Sequence, residues 1–415
     1  MILKESSWGL ETDKSYQKLT ENIKADVVVI GAGFAGIFNA YILSKAGLKV
    51  VVLEKNEKIL QNATVRTTAF ISKVVDTTFT ELISLFGEQN AKLVWESGQD
   101  AIDLISGIVK NESIDCEFKF VSAYGYAKDE KEFEGLNQEY EALKKAGLDA
   151  NLAKNGHKLN FKNSGYLEIR QQAMFHPIKF GQELSRLAES AGAKIFTDSE
   201  VLAISGHTVK TKTGLVTAKD VVIATYKPIT NRGTRFKKVM YVSYVFEVEI
   251  LKGLIAEGMY YDMGNPYHYF RIDSFETFDR MIVGGEDHRM DIKINPDKNF
   301  YVLEEYLKTV LGNNTYKIIR KWPGRILESS DGLALMGRIK PHTYVLTGFS
   351  GNGMTYAPLS ATIVRDLILD RKNPYTQLYD PRRNPSIRQL GIKGRDYMGE
   401  FFGGAFKNFF SRKKS

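Results

Sequence analysis

Apolar and polar positions follow three rhythms along this chain. Near the start, Asp26 to Ile30 reads DVVVI, which predicts a short buried strand ending at Gly31. Phe34 to Lys45 has the apolar spacing of a helix closed by Gly47, and Leu48 to Leu53 is a second buried strand with Glu54 at its tip. Together they form a βαβ unit. Longer helical patterns fill Phe79 to Lys110 and Glu132 to Lys145, and CEFKFVSAYGYA between them alternates like a strand. Pro177 opens another predicted helix, to about Ala191, and AKIFTD, EVLAISG, TVKTKTG and LVTAKDVVIAT read as short strands with tight turns behind it.

The third rhythm is aromatic. Met240 to Ile250, Met259 to Tyr261, Tyr267 to Ile272 and Met281 to Gly284 alternate aromatic with smaller residues, the pattern of an antiparallel sheet with one face toward a cavity. Residues 343 to 348, TYVLTG, make the last predicted strand, which enters a second glycine loop, GFSGNGMT, and then a helix to about Leu369. Dinucleotide-type elements thus stand at the start, middle and end of the chain, with the aromatic sheet in inserts between them. The predicted fold class is α/β: a Rossmann-like nucleotide-binding domain from 25–95, 175–235 and 330–380, interleaved with an antiparallel-sheet substrate domain from 96–174 and 236–329. A basic aromatic tail, 381–415, follows.

Composition narrows the function. The chain has 415 residues, enough for two domains, and no apolar run approaches the ~20 residues of a membrane span. Its N-terminus is polar, without the apolar core of a signal peptide, so a cytoplasmic protein is expected. The net charge of +8 is concentrated in the tail: Arg382 to Ser415 carries nine Lys/Arg against two Asp/Glu, leaving 48 against 47 elsewhere. A nearly neutral body implies no nucleic-acid face. Cys116 is the only cysteine, which excludes internal disulfides, a CxxC redox pair and therefore a disulfide reductase. The six histidines show no ligand spacing, and no metal site is expected.

The glycine loop carries the chemistry. In VVVIGAGFAG, Gly31 permits the turn out of the strand, Gly33 lets backbone approach a pyrophosphate, and Gly36 lets helix pack on strand. Phe34 and Ala35 open the helix, whose N-terminal N–H groups favour phosphate. Glu54 is placed for ribose hydroxyls and would repel a 2′-phosphate. The chain has one such fingerprint and no second for a nicotinamide. Free N–H groups of GFSGNGMT could face the pyrimidine oxygens of an isoalloxazine.

At these residues the sequence resembles the FAD-dependent oxidoreductases of the D-amino acid oxidase and glycine oxidase group. DVVVIGAGFAG, VVVLEK, RTTAF, DVVIAT, WPGRILESSDG and TGFSGNGMT carry the resemblance, in order, from about residue 25 to 380. SIDCEF, FHPIKF, VGGEDH and LYDPRRN resemble the bacterial branch in which this module precedes a Rieske iron–sulfur domain. A single cysteine cannot supply such a cluster, so no Rieske domain is expected within these residues. Cys116 is not at a flavin-attachment position of the family, and non-covalent FAD is expected.

The resemblance implies roles residue by residue. Glu54 and Lys55 would meet the adenosine ribose. Arg66, Thr67, Thr68 and Ala69 would line the phosphate and flavin path. Val201 would flank the adenine, and Ala224 and Thr225 would lie by the pyrophosphate. Gly348, Gly351, Asn352, Gly353, Met354 and Thr355 would meet the flavin ring. A flavin monooxygenase is disfavoured, because GFSGNGMT lacks the aspartate usual in that class.

The implied reaction is oxidation of the C–N bond of an amine or amino acid, with hydride passing to flavin N5 and then to oxygen or a separate acceptor. A substrate carboxylate calls for an arginine. Arg325, in WPGRILESSDG, is the first candidate, although the relatives' arginine stands one position later, where this chain has Ile326. Arg271, ending YHYFR, is the second. Tyr261, His268 and Tyr269 are candidates for the cavity wall, and His176 before Pro177 reads as a helix cap. The alternative function is a flavoprotein electron-transfer subunit serving a separate Rieske or quinone-linked partner. The aromatic stretch 396–412 is read as docking on the body or a partner in preference to peripheral membrane contact.

Overall fold

The computed structural model describes residues 6–9, 14–154, 157–227, 238–264, 266–292 and 294–384. The tail stretch 396–412 lies outside them. Two sheets organise the chain. The first has eight strands, and its parallel heart runs Thr343–Thr347, Leu215–Ile223, Asn22–Ile30, Val50–Leu53 and Lys194–Phe196. Leu335–Lys340 adds antiparallel at the edge. The parallel strands end together: Ile30 pairs with both Leu53 and Ile223. In such sheets the crevice beyond the carboxyl ends is where ligands bind.

Helices Phe34–Lys45, Pro177–Ser190 and Gly353–Ile368 cover one face of this sheet. Phe34, Phe38, Phe175 and Phe180 interlock there, with ring centroids between 5.4 and 6.1 Å apart. The expected helix Phe79 to Lys110 is two helices, Phe79–Phe86 and Glu88–Asn111, because Gly87 sits at φ +83°.

The second sheet has nine strands, ordered Tyr316–Ser329, Lys238–Leu251, Phe278–Arg289, Tyr269–Ser274, Gly258–Asp262, Lys119–Ala127, Gly165–Met174 and Phe70–Ile71, with Asn151–Lys154 also on Gly165–Met174. It is antiparallel except where Gly258–Asp262 pairs parallel with Lys119–Ala127, the seam between the two stretches of chain that build it. Its far face is a second core: Tyr124, Tyr126, Tyr166, Tyr244, Tyr260 and Phe270 pack with Phe300, Leu303 and Leu307 of the helix Pro296–Leu311. Most of the aromatic alternation in the sequence therefore serves this core, and the remainder looks toward the first sheet. Tyr316–Ser329 contains Pro323 and did not read as a strand. It tolerates proline because it is the edge of this sheet, where its neighbouring strand is Lys238–Leu251. Beyond the last helix the chain stays on the body at least to Arg383, whose guanidinium donates to Asp331 at 2.8 Å and to the Leu333 and Ala334 carbonyls.

Candidate active site

A cleft of about 650 Å³ opens where the parallel strands end and the second sheet faces them. Gly31, Gly33, Phe34 and Ala35 form its floor, and Glu54, Lys55, Glu200 and Val201 one rim. The roles of the three glycines separate in space. Gly31 sits at φ +103°, and a Cβ there would lie 2.7 Å from the Ala224 carbonyl oxygen. A Cβ on Gly36 would lie 1.8 Å from the Gly31 carbonyl, so helix and strand touch at this point. A Cβ on Gly33 would meet only Thr64 Oγ1, at 3.8 Å, because Gly33 faces the open cleft.

The helix Phe34–Lys45 has no cap from its own N-cap residue. Instead the Phe34 N–H donates to Thr64 Oγ1 at 3.2 Å, from a short turn of helix, Thr64–Arg66. Glu54 is nine-tenths buried, and its carboxylate accepts from the Ala32 N–H at 2.7 Å and from the backbone and side-chain N–H of Asn56 at 3.0 and 2.6 Å. The acid is thus already fixed beside the loop.

The RTTAF segment is held from behind. Trp322 Nε1 donates to the Arg66 carbonyl at 3.1 Å, and Trp8 Nε1 to that of Thr67 at 2.6 Å. Arg271 Nη1 donates to those of Thr68 and Ala69 at 3.0 and 3.1 Å. Ala69 takes φ +59°, a left-handed conformation costly for alanine, so these bonds hold a strained turn. Arg66, Thr67 and Thr68 then face the cleft, and Ala69 does not.

The second glycine loop, with Gly348 at φ +68°, contributes Gly348, Phe349, Ser350, Gly351, Gly353 and Met354 to the cleft. One expectation is corrected here: the Gly351 N–H is not free, since it donates to Asp76 Oδ2 at 2.7 Å. Thr355 turns inward and exchanges hydrogen bonds with the Ser72 backbone, while Asn352 and Thr355 do not line the cleft.

Of the four substrate-side candidates, Arg325 and Tyr269 reach the cleft and Arg271 and His268 do not. Arg271 is 1% exposed and paired with Asp273, so no substrate carboxylate can reach it. It supports the Arg66–Ala69 segment instead. His268 lies on the far face of the second sheet, stacked on Tyr306 at 4.0 Å and bonded to Asp262 at 3.0 Å and Glu286 at 3.2 Å. Burial opposes its charge, but the two carboxylates outweigh burial and raise its pKa. Tyr261 is also off the cleft; its ring packs on Gly125. His176 caps the helix Pro177–Ser190, its Nδ1 accepting from the Lys179 N–H at 3.2 Å.

Sequence reading missed several wall residues: Thr64, Tyr226, Met240, Ser243 and Val245. Tyr226 Oη donates to the Arg325 carbonyl at 2.7 Å, and Ser243 Oγ lies 3.1 Å from Tyr269 Oη. Met240, Ser243 and Val245 lie in the alternating stretch Met240 to Ile250, which alone does not tell which face is which.

Residues 26–367 match the family model DAO, FAD dependent oxidoreductase. The chain belongs to this family. It is similar to YhfW of Bacillus subtilis (strain 168), named as a Rieske 2Fe-2S iron-sulfur protein, with 28% identity over 93% of this chain and 77% of that one. It is 23% identical to gamma-glutamylputrescine oxidoreductase of Escherichia coli (strain K12), over 85% of each. The crystal structure of glycine oxidase from Geobacillus kaustophilus has the same fold, with a TM-score of 0.75 at 18% identity, covering 88% of this chain and 100% of that one.

This flavoenzyme is an FAD-dependent oxidoreductase. The cleft fits that group: open backbone at Gly33, a helix N-terminus, and a buried acid at the sugar end. The cleft residues among those described include no cysteine or histidine to attach a ring. Cys116 is buried elsewhere, and burial pushes its thiol up to about 12. Among the described residues no helix is long and apolar enough to cross a membrane.

Proposed function

We propose that this flavoenzyme oxidises the C–N bond of a small amine or amino acid. The observation that carries the reading is a single cleft in which the glycine loops face a wall of Ser243, Val245 and Tyr269, with Arg325 at its rim. When bound, FAD supplies the hydride acceptor at N5. The chain's part is orientation and exclusion of water. Gly31 to Ala35, Glu54 and Lys55 would hold the adenosine diphosphate half, and Arg66 to Thr68 with Gly348 to Met354 the flavin half. Tyr269 and Val245 would cover the reacting carbon. Arg325 would pair with a substrate carboxylate, where one is present.

A relative that oxidises gamma-glutamylputrescine by name and a solved neighbour named glycine oxidase support an amine substrate. The test is a panel of primary and secondary amines and amino acids offered to the FAD-loaded protein in air and without it. Bleaching of the flavin band by panel members, with peroxide in air, is expected. Bleaching by none of them overturns the reading. A second reading concerns the acceptor: similarity to YhfW, named for a Rieske cluster, supports electron delivery to a separate iron–sulfur or quinone-linked partner. Bleaching without peroxide, with turnover restored by a dye, selects that reading.

A further inference from the structure

Strand Phe278–Arg289 contains an irregularity that the reaction as described does not use. Opposite it, Val242 pairs with His288 and Tyr244 with Gly285, so Ser243 alone faces two residues, Glu286 and Asp287. Glu286 takes φ +55°, in the left-handed region. This is a β-bulge, and a bulge re-aims the side chains that follow it. Before it, Ile282 shares a core with Val245 on the cleft side, while Val283 lies in the far core. Unbroken alternation would send Glu286 toward the cleft and Asp287 away. The inserted residue reverses this. Glu286 reaches His268 on the far side at 3.2 Å, and His288 stacks there on Tyr244 at 5.7 Å. Asp287 is left on the face of Ser243, which lines the cleft and touches Tyr269.

The Asp287 side chain is half-buried, and its Oδ1 is buried without a hydrogen-bond partner. Burial pushes the group up to about 7; the Ser243 hydroxyl opposes the rise and the Asp76 carboxylate adds to it. Asp76 accepts from the Gly351 N–H at 2.7 Å. The other groups that act on Asp287 are His268 and Glu286 behind it and the phenols of Tyr267 and Tyr269 beside it. Of these only the His268 imidazole can take up a positive charge, and it is already shared between Asp262 and Glu286. A buried carboxylate without its own counter-ion is costly, and a ligand that brings a positive charge removes that cost.

We infer that Asp287 is the anionic contact for the substrate's ammonium group, so that the amine enters this cleft as a cation. The inference rests on the proposed amine oxidation and adds the charge state and the residue that selects for it. It also gives the Glu286 bulge its role, which is to turn Asp287 onto the face of Ser243, beside the cleft.

The probes are propylammonium and propionate, equal in chain length and opposite in charge, titrated calorimetrically into the FAD-loaded protein. Propylammonium stays protonated between pH 6 and 8, so its affinity follows the ionisation of Asp287. A rise of about tenfold between those pH values is expected, the change in ionised fraction of a group titrating near 7. Asp287→Asn is expected to remove that rise and weaken propylammonium at pH 8 at least tenfold, with propionate unaffected. The wild-type pH titration needs no variant, so a poorly folding Asp287→Asn protein leaves the test intact. If amines bleach the flavin but propylammonium affinity is flat from pH 6 to 8, the inference falls and the amine reading stands. If no amine bleaches the flavin and propylammonium does not bind, both fall.

Discussion

Arg271 Nη1 donates to the Ala69 carbonyl at 3.1 Å, and through that bond a buried cation on the second sheet fixes a left-handed residue of the segment behind the cleft. The same nitrogen holds Thr68, and the other side of the guanidinium is paired with Asp273, which also receives Arg280 Nε at 3.0 Å. Trp8 lies over both arginines, 5.3 and 5.1 Å from their centres. The backbone that would meet the phosphates is thus set by residues distant in sequence.

Replacing Arg271 with leucine is therefore expected to act on cofactor retention and folding, with no selective effect on substrate. Breaking this buried pair leaves Asp273 with Arg280 alone and strips the Thr68 and Ala69 carbonyls of their donor, at a cost of up to about 3–5 kcal/mol. The expected result is a lower melting temperature and loss of FAD on gel filtration. An Arg271→Leu protein that keeps its FAD and its melting temperature while substrate affinity falls would restore the carboxylate role that the structure removes from Arg271.

Arg325 is the opposite case. It is exposed at the cleft rim, and its leucine variant is expected to keep FAD and melting temperature. Losing one charged hydrogen-bonded contact costs roughly 1.5–3 kcal/mol, so KM for a carboxylate-bearing substrate should rise by about one to two orders of magnitude. KM for a plain amine should not move. Steady-state kinetics on a matched pair of substrates checks both.

The three glycines of the first loop are expected to fail differently. Gly33→Val adds bulk to open space and should give a folded protein that purifies without yellow colour. Gly36→Ala puts a Cβ 1.8 Å from a backbone oxygen and should lower the melting temperature with or without added FAD. Thermal melts of both proteins, each with and without FAD, separate the outcomes.

His268 gives stability a pH dependence of known sign. Its pKa is raised in the folded protein, because Asp262 and Glu286 outweigh burial. The stabilisation is fully present below the unfolded value near 6.5 and is lost as pH rises through the raised folded value. His268→Gln should therefore lose more melting temperature at pH 5.5 than at pH 9. Equal losses at both would place the role of His268 in packing on Tyr306 alone.

Local pattern determined a great deal. The strand, turn and helix of VVVIGAGFAG need only backbone sterics and the first core contacts, and the helix begins and ends at Phe34 and Lys45 as its spacing predicts. Glu54 at a strand tip, the second glycine loop before a helix, and the interleaving of the two sheets were legible for the same reason: each is a rule about neighbours in sequence. The function of an individual side chain in the second sheet was not. Strand alternation assigns residues to two faces but does not say which face meets the cofactor, and a single inserted residue exchanges them. Arg271 and Arg325 look alike in sequence, yet one is buried behind the loop and the other stands at the rim, because strands more than 200 residues from Thr68 and Ala69 close over them. Asp287 illustrates the limit most sharply. Its place in VGGEDH is visible, but its direction depends on the pairing of Ser243 against two residues, a register that exists only once Lys238–Leu251 and Phe278–Arg289 have met.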